Sequence, residues 1–263
     1  MSKVEVLVAC MHQKNDALYK EMNLHSDCVL ANQCDAHSYQ EFIQADGSVV
    51  KLVSSHDRGV GKNRNKALQY ASGEYVLFAD DDMIYEDNYV QMVLDAFEKC
   101  PQADMIIFKL HYLNRLTYGK TEVMTFKRLH LWNAMRYGTA RVAIRKSAID
   151  KTCLCFSTLY GGGAKYSSGE DTLFIREAFR KGLKVYASPV TIAKVKQETS
   201  SWFTGYQDKY FIDKGVLIAN AFPVMKGILM YYFAFGMRKV SKDYNFWKIC
   251  RLMRQGIAEF KST

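Results

Sequence analysis

The sequence predicts an α/β protein, a mostly parallel sheet flanked by helices, and three observations carry that expectation. Short apolar runs alternate with amphipathic helical stretches, the order that builds βαβ units. One run, Glu74 to Ala79 (EYVLFA), is continuously apolar, as a strand covered on both faces is. The composition fits one compact unit: 263 residues, 49% hydrophobic and 24% charged, with only 3 prolines.

Val4 to Ala9 reads as the first strand, Asn15 to Met22 as a short helix and Cys28 to Ala31 as the second strand. Tyr39 to Gln44 and Val49 to Ser54 flank Asp46-Gly47, a dipeptide suited to a hairpin turn. The helix Gly61 to Tyr70 leads into the EYVLFA strand. Asn88 to Lys99 is a helix ended by Pro101, and Met105 to Leu110 and Ala140 to Arg145 are strands. Glu170 to Lys181 is a helix stopped by Gly182, and Leu183 to Ala187 is the final strand. Ligands of such sheets lie beyond the carboxyl ends of the strands, so residues directly after strand runs are the candidates for a site.

Charge and cysteines narrow the classes. The net charge is +9, yet Val224 to Thr263 alone holds eight Lys/Arg against two Asp/Glu, leaving +3 for the rest. The seven cysteines are odd in number and scattered, without a CxxC pair or a His-spaced set, which argues against a zinc module and for a reducing compartment. The apolar run near the amino terminus is too short and interrupted for a signal peptide, so a cytoplasmic location is expected. The histidines, His12, His56 and His130 among them, show no ligand spacing.

The strongest chemical signal is Asp80-Asp81-Asp82 at the end of EYVLFA. In an extended segment Asp80 and Asp82 point one way and Asp81 the other, so the Asp-x-Asp pair is the candidate ligand set for a hard divalent cation. Upstream, Asp57 to Leu68 (DRGVGKNRNKAL) is a glycine-containing loop entering a basic helix start, able to turn amides and Arg/Lys side chains towards an anion. It is neither a P-loop nor a Rossmann fingerprint.

Together the stretch Asp57 to Tyr85, DRGVGKNRNKALQYASGEYVLFADDDMIY, resembles the core signature of family 2 glycosyltransferases, in which a Gly-x-x-x-Arg-Asn helix precedes Gly-Glu-Tyr and a strand ending in Asp-x-Asp. The resemblance implies a GT-A fold over about residues 1–205 and inverting transfer from a nucleotide-diphosphate sugar, a UDP-sugar by preference. The acceptor it implies is a hydroxyl of a glycan or lipid-linked molecule in surface polysaccharide synthesis. It puts Asp57, Arg64, Asp80 and Asp81 in the donor site, Arg64 near the nucleotide base, with Mn²⁺ or Mg²⁺ on Asp80 and Asp82. A second match, Gly169 to Phe174 (GEDTLF), implies a catalytic Asp171 taking the acceptor proton, supported by Glu170; the bland alternative is a capping box of Ser168 with Asp171. The run Gly161-Gly162-Gly163 just before it reads as a mobile loop.

Two departures stand out. The base-binding Asp-Asp pair is replaced by Asn32-Gln33-Cys34-Asp35, leaving Gln33 and Asp35 both open as base contacts. The late histidine is missing from Val195 to Trp202, where Lys196 is the candidate to neutralise a diphosphate.

Residues 1–213 are therefore expected to form the catalytic domain and residues 214–263 a basic helical appendage. Gly227 to Met237 is apolar but too short to span a bilayer. Phe246, Ile249, Cys250, Met253, Ile257 and Phe260 share one helical face, expected to lie on an anionic membrane surface at the inner face of the cell membrane, or else on the enzyme's own core or a second copy of the chain. Nucleic acid is not an expected partner. A sugar-phosphate nucleotidyltransferase would need a glycine-rich loop near Val8 to Lys14, which is absent, and a non-catalytic basic membrane-binding protein gives no reason for the carboxylates.

Overall fold

A computed structural model of the chain describes residues 3–113, 123–196, 205–238 and 243–261. Among the described residues ten strands form one sheet, β3-β4-β2-β1-β5-β9-β7-β10-β6, with β8 pairing β10. β1 (Val4–Met11) is flanked in parallel by β2 (Asp27–Gln33) and β5 (Tyr75–Asp80), and β4 (Val49–Ser55) continues the parallel run beside β2. β5 is buried on both faces, which is why its sequence reads as a continuous apolar run. β3 (Ser38–Ile43) closes that edge as the antiparallel half of the expected hairpin.

Beyond β5 the sheet is mixed rather than mostly parallel. β9 (Val142–Arg145) inserts antiparallel between β5 and β7 (Met105–Tyr112), and β10 (Val185–Val195) returns parallel to β7. β10 extends eight residues past the expected Ala187: it carries Pro189 at a register shift, where the missing N–H costs no ladder bond. Its far end pairs with β6 (Met83–Tyr85), directly after the aspartates, and its near end with β8 (Lys127–Arg128).

Helices cover both faces. α1 (Ala17–Glu21) and α3 (Tyr89–Lys99) bury Leu18, Tyr19, Val93 and Phe97 on one side. On the other lie α2 (Val60–Tyr70), the short α4 (Leu131–Ala134), α5 (Lys146–Thr152) and α6 (Glu170–Arg180). β10 apart, the boundaries of the expected elements follow the sequence closely.

The carboxy-terminal part departs from expectation. α7 (Asp208–Ala221) runs straight through the anticipated 213/214 boundary, and Asp213 is buried in mid-helix. α8 (Lys226–Met237) and α9 (Phe246–Lys261) pack on it around Phe211, Met230, Ile249 and Met253. The α9 face expected to meet a membrane is thus turned inward: Ile249, Cys250 and Met253 are fully buried. The physical cause lies in two glycines, Gly215 and Gly256, that let α7 and α9 approach until backbone meets backbone; a Cβ on Gly256 would sit 2.0 Å from the Ile212 carbonyl oxygen.

Candidate active site

Because β4, β2, β1 and β5 run in parallel, Ser55, Gln33, Met11 and Asp80 end at one edge of the sheet. α2 is fastened beneath that edge by the asparagines of its Asn-Arg-Asn segment. Asn63 donates to the carbonyls of Cys10 and Ala31 at 3.2 and 2.7 Å, and Asn65 both donates to and accepts from the Phe156 backbone at 2.9 and 2.8 Å. Gly61 permits the close pass, since a Cβ there would lie 2.2 Å from the Ser157 carbonyl oxygen.

Arg64, held between them, is 4% exposed. Its Nη2 donates to Asp80 Oδ1 at 2.8 Å and its Nη1 to Asp171 Oδ1 at 2.9 Å; Glu170 Oε1 is 3.8 Å away and the Phe156 ring lies 5.4 Å from Cζ. Burial alone would lower its pKa, but Asp80, Asp171 and Glu170 override that and raise it, so the guanidinium is a permanent cation. Arg64 thus ties the Asp-x-Asp strand end to the Glu-Asp helix start.

Asp80, Asp82 and Asp171 line one cavity of ≈ 120 Å³, together with Gly138, Arg141 and Tyr112. Asp81 faces away towards Met11, and burial, then the charge of Asp80, raises its carboxyl above the usual range. The Asp82 carboxyl is pushed up to about 6 by burial and by Asp80 and Asp81. The Lys196 N–H donates to the Asp82 carbonyl at 2.9 Å, so β10 steadies the strand end; Gln197 to Trp202 lie outside the described residues.

The Ser168–Asp171 capping box does not form. Gly169 is the helix N-cap, Ser168 Oγ accepts from Lys214 Nζ at 2.9 Å, and Asp171 receives Arg64 and the Thr139 hydroxyl instead. Glu170, nearly buried, accepts the Gly169 N–H at 3.0 Å; burial first and Asp171 second raise its carboxyl to about 7, against the pull of Arg64. The triple-glycine segment is a packed loop, not a free one. Tyr160 and Tyr166 are buried against Val216 and Leu217 of α7, and Gly161, at φ +102°, sits where a Cβ would strike Val60 and Glu170.

The remaining predicted residues spread along the same edge. Gln33 is buried and its Oε1 accepts the Gly59 N–H at 2.8 Å, so it shapes the loop before α2. Asp35 is 88% exposed and paired with Arg58 at 2.5 Å, and Asp57 lies 3.9 Å from Lys66. Thr139 and Arg141 escaped notice because they lie at the start of a strand run, whereas only residues directly after such runs are candidates. β9 runs antiparallel to β5, so its start, not its end, reaches the site edge.

Among the described residues no group of three or more His, Cys, Asp or Glu converges to hold a metal ion alone. The two carboxylates Asp80 and Asp82, crowded with Asp81, still fit Mg²⁺ or Mn²⁺, which take one or two carboxylates and complete their shell with substrate phosphates and water.

The sequence model of Glycosyl transferase family 2 matches residues 27–159, just over half of the chain. The chain belongs to that family. The match takes in the Asn-Arg-Asn helix and the aspartates, and the glycosyltransferase places Glu170 and Asp171, which lie beyond it, against both through Arg64. Among solved structures it is similar to S. aureus TarS 1-349 in complex with UDP-GlcNAc, with 18% identity and TM-score 0.65 over 92% of this chain and 74% of that one. TarS 1-349 in complex with UDP is similar at 17% identity and TM-score 0.61, over 92% and 73%. At that identity the likeness speaks for the GT-A fold. No curated protein matches the chain.

Proposed function

We propose that this glycosyltransferase moves a sugar with inversion from a nucleotide-diphosphate sugar, with UDP as the nucleotide, to a hydroxyl of a glycan or lipid-linked acceptor in surface polysaccharide synthesis. The observation that carries the reading is the shared cavity of Asp80, Asp82 and Asp171, in which carboxylates from two distant segments face one small space. TarS, with the same fold, was crystallised with UDP-GlcNAc and with UDP, which supports a uridine donor here.

Asp171 accepts the acceptor proton as the hydroxyl attacks the anomeric carbon and the bond to the diphosphate breaks. It sits at the amino end of α6, and Arg64 and Thr139 both hold its Oδ1, leaving Oδ2 on the cavity side. One displacement inverts the configuration. A divalent ion held by Asp80 and Asp82 would supply neutralisation of charge on the leaving diphosphate.

The test is nucleoside diphosphate release from a panel of nucleotide sugars, with EDTA and with Mn²⁺ or Mg²⁺ restored. Asp171→Asn should fold, bind donor and lose about 10²-fold or more in turnover. Undiminished turnover in EDTA would remove the metal, and an active Asp171→Asn beside a dead Glu170→Gln would move the base to Glu170.

A further inference from the structure

One surface of the molecule lies apart from the glycosyl-transfer site. α8 is apolar all round, which suits a helix covered on every side, yet only one side is covered. Met230 and Ala234 pack towards α9, while Ile228 is 70% exposed, Tyr232 78% and Phe235 59%, at the spacing of one helical stripe. Val224 extends the stripe before the helix, and Trp247, 71% exposed, lies on α9 against Phe246, whose ring stacks on Tyr231 of α8.

The sequence around this stripe is basic up to Asp243. From Pro223 to Lys242 the sequence holds Lys226, Arg238, Lys239 and Lys242 and no acidic residue. On the structure two cations meet aromatic rings of α8: Arg238 Cζ is 3.4 Å from the Phe235 centroid, and Arg254 of α9 donates to the Tyr231 hydroxyl. An apolar strip rich in Tyr, Trp and Phe, edged by cations, matches a bilayer interface, where rings reach below the headgroups and basic groups stay among anionic ones. A second copy fits worse, because a two-fold contact would set these cations against each other with no acid within the stripe to pair them. No described helix is long and apolar enough to cross a membrane.

We propose that the exposed face of α8, with Trp247, docks on an anionic lipid surface. The lipid contact expected for α9 thus moves to the neighbouring helix, since α9 is covered by α7. α7 connects this face to the site: Asp213 accepts the Ser167 N–H at 2.9 Å, Asn220 donates to the Tyr160 hydroxyl at 3.1 Å, and the chain enters α8 at Lys226, shortly after α7 ends at Ala221. Docking through α8 therefore presents the loop before Glu170 to an acceptor held at that surface.

The test is sedimentation of the full chain with vesicles of phosphatidylcholine with or without phosphatidylglycerol, alongside light scattering. The wild-type protein should bind the anionic vesicles, bind neutral ones more weakly, and be partly released by salt. The triple variant Ile228→Ser, Tyr232→Ser, Phe235→Ser should lose at least about tenfold in vesicle affinity, and Arg238→Glu should lose anionic preference, both with unchanged donor hydrolysis in solution. Three results would overturn the proposal: wild-type protein left in the supernatant with anionic vesicles, a triple variant that binds as wild type does, or a wild-type dimer that the triple variant separates, which would make α8 an interface between copies. Donor hydrolysis without lipid reads the glycosyl-transfer site separately.

Discussion

Arg64 is the residue on which the site turns, because one buried cation faces three carboxylates from two distant parts of the chain. Arg64→Met would leave those charges facing each other, and the loss should be on the order of 3 kcal/mol in a urea melt, reduced somewhat by water reaching Asp80. Arg64→Lys should not restore activity, since a single ammonium cannot bridge two carboxylates as a planar fork does. A melt within about 1 kcal/mol of wild type would contradict this role. Glu170 adds a pH signature. Its carboxyl is raised from the ordinary 4.5 to about 7, so the folded state holds a proton that the unfolded state releases, and stability drops as pH rises through that window. Glu170→Gln keeps the neutral form. Its melting temperature should pull ahead of wild type between about pH 4.5 and 7 and keep a constant lead above that; the same gap at about pH 5 and pH 8 would mean that no buried charge is relieved.

At the scale of elements, the α7–α9 contact makes a prediction whose sign opposes simple propensity. Replacing a glycine inside a helix by alanine ordinarily gains about 1 kcal/mol. At Gly256 the new Cβ would meet the Ile212 carbonyl at 2.0 Å, backbone against backbone, so Gly256→Ala should instead cost about 1–3 kcal/mol. A stabilised Gly256→Ala would show that the helices do not touch there. The same contact explains why the amphipathic face of α9 misleads: periodicity reveals that a face needs cover, not whether lipid or another helix supplies it. The strand β10 teaches a parallel lesson, since Pro189 ends a strand by local rules and yet occupies a bulge within one.

For the whole molecule, the question is whether the carboxy-terminal helices are an appendage. They share a buried seam with the catalytic loop: Val216 and Leu217 pack on Tyr160 and Tyr166, and Lys214 donates to Ser168. A chain ending at Asp213 would cut α7 and open that seam, so it should aggregate or lose donor hydrolysis, contrary to the domain division at 213/214 that the sequence suggests. A monodisperse fragment with wild-type hydrolysis would restore that division.

Sequence alone determined the elements whose signals are local: the buried strands β1, β2 and β5, the helices α2, α3 and α6, and the two acidic segments, because apolar runs, helical spacing and clustered carboxylates are all written within a few residues. It also sufficed to name the family, since that signature lies in one continuous stretch. Only the tertiary structure decided what crosses the chain. It brought Asp171 to Asp80 through Arg64, turned β9 so that Thr139 reaches the site, covered the apolar face of α9 with α7 and left that of α8 open. Each of these depends on which surface meets which, and no single segment records its partner.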